Sequence, residues 1–336
     1  MIRPFTLRDL PLVRRLSEQG ISLHTQSDLA DNLYPLRGAL FSMVVGGDFP
    51  TYVWKSEDRE MTGFIQLLLD EEHNHARILF LSPAISSGNG NVDPADNKNM
   101  FEQVWLSLLD QAVVETGQHG VHSLVAEVSE TGPELPVLRR AGFAVYTRQD
   151  IWILEVGMQT GSKSTLSLQR RRASDDWDIQ LLYANMVPRL VQLVEPMPTL
   201  IDDDTWILRN GQGELEAFVH THQGSAATWM RFFIHPNAEA DAYDIVTAAL
   251  QVNSPRPNRP VYCCVRRYEG WLTTALERSG FRIWGSQAVM VKHTVHYAKK
   301  TMPKLVTAID GQGIPVSSPY VQRYESNGDA NQSKNL

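Results

Sequence analysis

The sequence holds only two cysteines in 336 residues, and they are neighbours, Cys263 and Cys264. A disulfide framework is thereby excluded. Adjacent residues of a strand face opposite sides of a sheet, so the pair is also a poor metal site, and no metal is expected. Positive charge is not in excess: 31 Lys and Arg against 38 Asp and Glu give a net charge of −7. That balance offers no basic face and argues against a nucleic-acid partner. No apolar run reaches the roughly twenty residues of a membrane-spanning helix, and Met1-Ile-Arg-Pro-Phe5 lacks the apolar stretch of a secretory leader. The expectation is a reduced, cytoplasmic protein with no membrane partner. What the chain does have is 43% hydrophobic residues and eight Trp, ample for two packed cores, at a length that suggests two domains.

One motif occurs twice. Leu138-Arg-Arg-Ala-Gly-Phe143 and Leu276-Glu-Arg-Ser-Gly-Phe281 lie 138 residues apart, each between two apolar, strand-like runs. Upstream, Arg77-Ile-Leu-Phe-Leu-Ser-Pro83 matches Met230-Arg-Phe-Phe-Ile-His-Pro236 at an offset of 153. The change of offset places about 15 extra residues in the first copy, as a repeat search reads it, most simply in an exposed loop at Ala84–Lys98. Two copies of one domain are expected: residues 1–156 and 168–297, joined by a Gly/Ser/Thr/Lys-rich linker at 157–167. A tail follows at 298–336, its composition that of a disordered segment after about 310.

Within each copy the periodicity predicts a strand, one or two helices, a strand, a hairpin, a long helix, a strand, a short helix and a closing hairpin. In the first copy, Asp9 reads as a helix cap and residues 29–40 as one helix. The pattern Asn99…Glu102 reads as the capping box that opens the long helix, and Ala144–Tyr146 with Ile151–Val156 as the closing hairpin. In the second copy, Ile179–Val194 reads as a single helix, and Phe281–Trp284 with Ala288–Val291 as the closing strands. Trp54, Trp152, Trp206, Trp229 and Trp284 fall on predicted strands and read as core, whereas His73-Asn-His75 reads as a solvated turn. His220 and His222 share a strand face, but His235 cannot join them in a metal site.

This order of elements, the Arg3-Pro-…-Asp9 opening and the Gly-Phe endings resemble the N-acetyltransferase (GNAT) superfamily over nearly the whole chain up to about residue 295. The resemblance implies two tandem α/β domains, each a mixed, mostly antiparallel sheet flanked by helices. It implies acetyl-CoA as cofactor and a small-molecule or peptide amine as acceptor; a homo-oligomer is left open. In that family a Gly-rich turn at a helix start holds the cofactor pyrophosphate on backbone amides. The matching residues here are Ser87, Gly88, Asn89, Gly90 and Asn91, with Ser87 where the family has Arg or Gln. The same five residues also read as a flexible loop. Backbone amides near Leu81 and Ser82 would hold the pantetheine arm and polarise the thioester carbonyl. In the second copy the matching stretch, Asn237–Asp244, has no glycine and brings Glu239, Asp241 and Asp244, which are hostile to an anionic ligand. The family's proton-donating Tyr is replaced by Leu138 and Leu276, so no catalytic acid or base is assigned. Tyr146, Tyr268 and Glu127 remain as candidates beside their plain packing roles. Two functions follow: an acyl-CoA-dependent N-acyltransferase working through the first copy, or a catalytically empty binding or regulatory module for another small ligand.

Overall fold

The computed structural model describes residues 2–41, 49–56, 61–70, 75–85, 94–157, 164–198, 204–252 and 259–294. Most of the expected linker, all of the expected tail and the stretch 86–93 lie outside the described residues.

The first half runs β1 (Ile2–Pro4), α1 (Leu10–Ser17), β2 (Ile21–Ser22), α2 (Thr25–Leu29), α3 (Pro35–Phe41), β3 (Thr51–Lys55), β4 (Thr62–Asp70), β5 (His75–Ser82), α4 (Pro94–Gln118), β6 (Ser123–Ser129), α5 (Glu134–Arg140) and β7 (Ala144–Leu154). The second half repeats it as β8 (Gln169–Arg170), α6 (Asp176–Met186), α7 (Arg189–Gln192), β9 (Asp204–Arg209), β10 (Leu215–Gln223), β11 (Thr228–Ile234), α8 (Ala242–Val252), β12 (Val261–Arg266), α9 (Thr273–Arg278) and β13 (Arg282–His293).

The repeated motif has a backbone cause. Both α5 and α9 end on a glycine with positive φ, Gly142 at +85° and Gly280 at +88°. In each, the following Phe N–H donates five residues back, Phe143 to the Leu138 carbonyl and Phe281 to the Leu276 carbonyl, both at 3.0 Å. This is the bond pattern of a Schellman cap, and it needs a left-handed residue at the glycine. The two openings match as well. Asp9 accepts from the Thr6 N–H and Asp175 from the Arg172 N–H, each just before the half's first long helix. Arg3 and Lys55 brace Asp9, and Arg209 braces Asp175.

The thirteen strands of the described residues join one sheet, ordered β1-β3-β4-β5-β6-β13-β7-β12-β11-β10-β9-β8, with β2 pairing off this path to β5. Read from either edge the order is the same except at the centre, where the halves exchange their last strands. β13, from the second half, pairs antiparallel with β6; β7, from the first, pairs antiparallel with β12. Two cores follow. One packs α4 and α5 against β4–β6 and includes Ala288 and Met290 of β13; the other packs α8 and α9 against β10–β12 and includes Trp152 and Leu154 of β7. The seam is also crossed by the β10–β11 turn, where Ala226 N–H and Ser225 Oγ donate to the carbonyls of Ala30 and Asp31. Gly224 permits this approach: a Cβ there would lie 2.2 Å from the Ala30 carbonyl oxygen.

Several sequence expectations are corrected. The closing hairpins are single strands of 11 and 12 residues. Thr147–Gln149 carries no turn residue, and pairing with β12 and β13 keeps the stretch extended. The helix expected at 29–40 is two short ones, and the helix expected at 179–194 breaks at Val187-Pro188, because a helix-interior proline lacks the N–H and crowds the preceding turn. The long helix α4 starts at Pro94, so Pro94–Lys98 is helical rather than loop and Asn99…Glu102 is not its first turn. Instead Glu102 pairs with Arg140 of α5. His75 is buried opposite Asp70 at the start of β5, not solvated; His73 lies outside the described residues. Trp284 is 47% exposed and belongs to no core, while Trp152 and Trp229 are buried as expected.

Candidate functional site

Each half has one pair of parallel strands that separates as it runs. β5 and β6 pair only from His75↔Ser123 to Arg77↔Val125, and β11 and β12 only from Thr228↔Val261 to Met230↔Cys263. Beyond these points the backbones splay and leave edge groups to be satisfied. A buried unpaired N–H or C=O is costly, so what fills each splay indicates what the site can bind.

In the first half, β5 carries a bulge against β4. Gln66 faces Phe80 and Leu67 faces Ile78, which leaves Leu79 without a partner on β4. Its carbonyl is taken from the other side, by the N–H of Leu23 at 2.9 Å. The Leu23 carbonyl in turn accepts from the N–H of Glu127 on β6 at 2.9 Å, and β2 pairs Ile21 with Leu81. The segment Ile21–Leu23 therefore bridges the splay. Leu81 and Ser82 are fully buried, and Ser82 Oγ donates to the Leu16 carbonyl at 2.8 Å. The remaining predicted cofactor residues, Ser87, Gly88, Asn89, Gly90 and Asn91, lie outside the described residues.

The second half differs at both ends of its splay. The β10–β11 register is continuous from Ala217↔Ile234 to Gln223↔Thr228, with no bulge. At the mouth, the amides ahead of α8 are already used. The N–H of Asn237 donates to His235 Nδ1, that of Ala238 to the His235 carbonyl, that of Glu239 to the buried Glu216 carboxylate and that of Tyr243 to Asp241. Two of these four acceptors are carboxylates, those of Glu216 and Asp241.

Where the halves meet, a cavity of about 50 Å³ opens between β5–β6 and β11–β12. Glu195, which follows α7, binds both Arg231 of β11, at 2.5 Å, and Arg266 at the end of β12. Burial pushes the Glu195 carboxyl up, but the two guanidiniums outweigh it and hold it well below the usual carboxylate range. Glu127 is also kept ionised: burial raises its carboxyl, and His24, Arg266 and the Thr25 N–H, at 2.8 Å, more than reverse that. His24 is neutral, brought down to about 4 by burial and then by Arg77. Tyr146 reaches Glu195 at 3.4 Å, and its hydroxyl is pushed far up by burial, so it is not a poised acid. Tyr268 packs beside Phe218 and Phe233 with its buried hydroxyl unpartnered. Behind Arg266, Glu269 is pushed up to about 7 by burial.

The structure thus gathers Glu127 and Tyr146, which the sequence reading had named singly, into one cavity with Arg77 and Arg231 of the two matching strands. It adds His24, Glu195 and Arg266. The available signals were slight: an acid inside the otherwise apolar Leu193–Met197, and an arginine closing the apolar strand Val261–Val265. His220 is buried, and His222 pairs with Asp31 at 2.8 Å.

Comparison with solved structures places this architecture. A GCN5-related N-acetyltransferase from Sphaerobacter thermophilus superposes with a TM-score of 0.50 at 9% identity, over 87% of this chain and 95% of that one. The chain has the GNAT fold. A tandem GNAT protein from the clavulanic acid biosynthesis pathway gives 0.49 at 12% identity, over 87% of this chain and 98% of that one. An acetyltransferase of the GNAT family from Colwellia psychrerythraea gives 0.46 at 11%, over 88% and 100%. No protein-family model matches the sequence, and no curated protein does. Among the described residues of this GNAT-fold chain, no helix is long and apolar enough to cross a membrane.

Proposed function

We propose that this GNAT-fold chain is an acyltransferase that draws an acyl group from a CoA thioester and passes it to an amine, with the cofactor in the first half. The observation that carries the reading is the bulge at Leu79, present on β5 and missing from β11. A bulge turns backbone groups off the ladder and into the splay, where they can meet a thioester arm and its carbonyl. Leu81 and Ser82 lie just beyond it, and Ser87–Asn91 would supply the phosphate turn, weakly, since Ser87 replaces a cationic or amide side chain. In the second half β11 has no bulge against β10, the stretch Asn237–Asp244 has no glycine, two amides there are capped by nearby acids, and the splay is crossed by the Glu195 ion pairs. In the reaction the neutral amine attacks the thioester carbon; the C–N bond forms, the C–S bond breaks, and the proton shed by nitrogen ends on the departing sulfur. Glu127 and His24 are the groups beside the splay able to accept that proton on the way.

A second reading has its own support. Ile21–Leu23 already pairs along Leu79–Leu81, the edge that the thioester arm would use. A chain that fills its own splay suits a binding or regulatory module of the same fold. Calorimetric titration of acetyl-CoA into the purified protein separates the two. Saturable binding that is lost in Gly88→Val/Gly90→Val supports the acyltransferase; no heat at millimolar acetyl-CoA supports the module.

A further inference from the structure

The cavity between the halves holds one more positive than negative charge. Three guanidiniums line it, Arg77, Arg231 and Arg266, against the two carboxylates of Glu127 and Glu195. Glu195 is spent on Arg231 and Arg266. Arg77, half-buried on β5, meets no carboxylate in a described ion pair, and its Nη1 lies 3.5 Å from Nε2 of a neutral His24. An unbalanced charge away from water is costly and calls for an anion. Two buried donors on the same walls are also unspent: Trp229 Nε1 and Arg266 Nε have no partner, and both residues are 3% exposed. Val125 and Val194 add an apolar patch, and Gln26, Tyr146, Gln149 and Cys264 complete the lining.

From this charge count and these orphan donors we infer that the cavity is a binding site for a short aliphatic carboxylate. The planar fork of a guanidinium matches a carboxylate in two parallel hydrogen bonds, and the valines suit a methyl or ethyl group. Size agrees: one water needs about 10–15 Å³ of such space, so about 50 Å³ holds three or four heavy atoms, and acetate has four. A tetrahedral phosphate would set two or more charged oxygens against the valine wall and the Glu127 carboxylate. The site needs both halves, since Arg77 and Val125 come from one and Arg266, Trp229 and Val194 from the other. It stands whether or not the chain transfers acyl groups.

The test is titration of the full chain with sodium acetate in place of sodium chloride, at constant pH and ionic strength and without CoA. Trp fluorescence and thermal unfolding are followed. Saturable stabilisation by acetate is expected. Arg77→Met should weaken binding at least tenfold, and Glu127→Gln should tighten it, because it removes a competing negative charge. In the absence of acetate, Arg77→Met should melt no lower than the parent, since it discharges an unbalanced site. No saturable response, an equal response in Arg77→Met, a less stable Arg77→Met, or phosphate binding as well as acetate would each overturn the inference.

Discussion

Gln149 and Gln287 face one another across the centre of the sheet, Nε2 of the first donating to Oε1 of the second at 2.8 Å. They are register partners on β7 and β13 and sit 138 residues apart, the same offset as the two Gly-Phe motifs. The same position of the repeat therefore meets itself where the two halves trade strands. Around the pair the polar groups form a chain: Thr25 Oγ1 donates to Gln287, while Cys264 Sγ and Arg266 donate to Gln149. Through Arg266 this chain reaches Glu195, so the exchanged strands and the cavity share one hydrogen-bonded network.

The exchange makes each core depend on the other half's sequence. Met290 is fully buried in the core of α4 and α5 although it is encoded after β12, and Trp152 is buried in the core of α8 and α9 although it is encoded before β8. Met290→Ala should cost about 2–5 kcal/mol and Trp152→Ala about 3–5 kcal/mol. Amide hydrogen exchange shows where. Met290→Ala should loosen β4–β6 and α4, and Trp152→Ala should loosen β10–β12 and α8. Loss of protection confined to the half that encodes the substituted residue would refute the exchange.

The two helix-ending glycines should respond alike. With φ near +85° at both, alanine must adopt a left-handed conformation, a cost of roughly 1–2 kcal/mol. An added Cβ would make only ordinary contact, the nearest atom lying 3.6 Å away at Gly142 and 3.5 Å at Gly280. Backbone strain alone should set the loss. Urea midpoints of Gly142→Ala and Gly280→Ala should fall by similar amounts, and a neutral substitution at either would contradict the cap.

Those glycines were legible in the sequence because a left-handed cap has its own local chemistry. So were most strands, and the doubled order that led to the fold. The exchange of β7 and β13 was not, because Ile151–Leu154 and Ala288–Val291 are apolar in the same way whichever β-strand lies beside them. The cavity was half legible. Glu127 stood out as a candidate, but that Glu195 folds back between Arg231 and Arg266 depends on the break at Pro188, read past as continuous helix. Ile21–Leu23 is too short to announce itself as a strand; the open edge of β5 makes it one.

Two buried groups should give opposing pH dependences. His24 titrates near 4 rather than near 6.5, so as pH falls below 6.5 the unfolded chain takes a proton that the folded one refuses, and stability is lost. Glu269 titrates near 7 rather than near 4.5, so the folded chain keeps a proton that the unfolded one has released, and stability is lost as pH rises through 4.5–7. Each contributes a slope of at most about 1.4 kcal/mol per pH unit. Between pH 5 and 6.5, relative to the parent, His24→Gln should become progressively less favourable as pH rises and Glu269→Gln progressively more so. Denaturant unfolding at three pH values checks both signs, and parallel curves for the two variants would show that neither group is buried as described.

Glu195 is the group on which the seam should depend most. It alone supplies carboxylate oxygens to both Arg231 and Arg266 in described ion pairs, and all three side chains are at most 11% exposed. Glu195→Gln removes the charge but keeps the shape, and leaves two guanidiniums facing each other in a low-dielectric site. Breaking a buried pair in this way costs about 3–5 kcal/mol, more than the pair itself contributes, because the stranded charge must be solvated by the protein. The cost should be recovered in part by removing a stranded partner. Glu195→Gln with Arg231→Met should therefore be more stable than Glu195→Gln alone. Arg231 stacks over the Phe233 ring at 5.0 Å, so a methionine there keeps an apolar contact. A double-mutant cycle by chemical denaturation reads the coupling directly, with additive losses as the outcome that would dissolve the network.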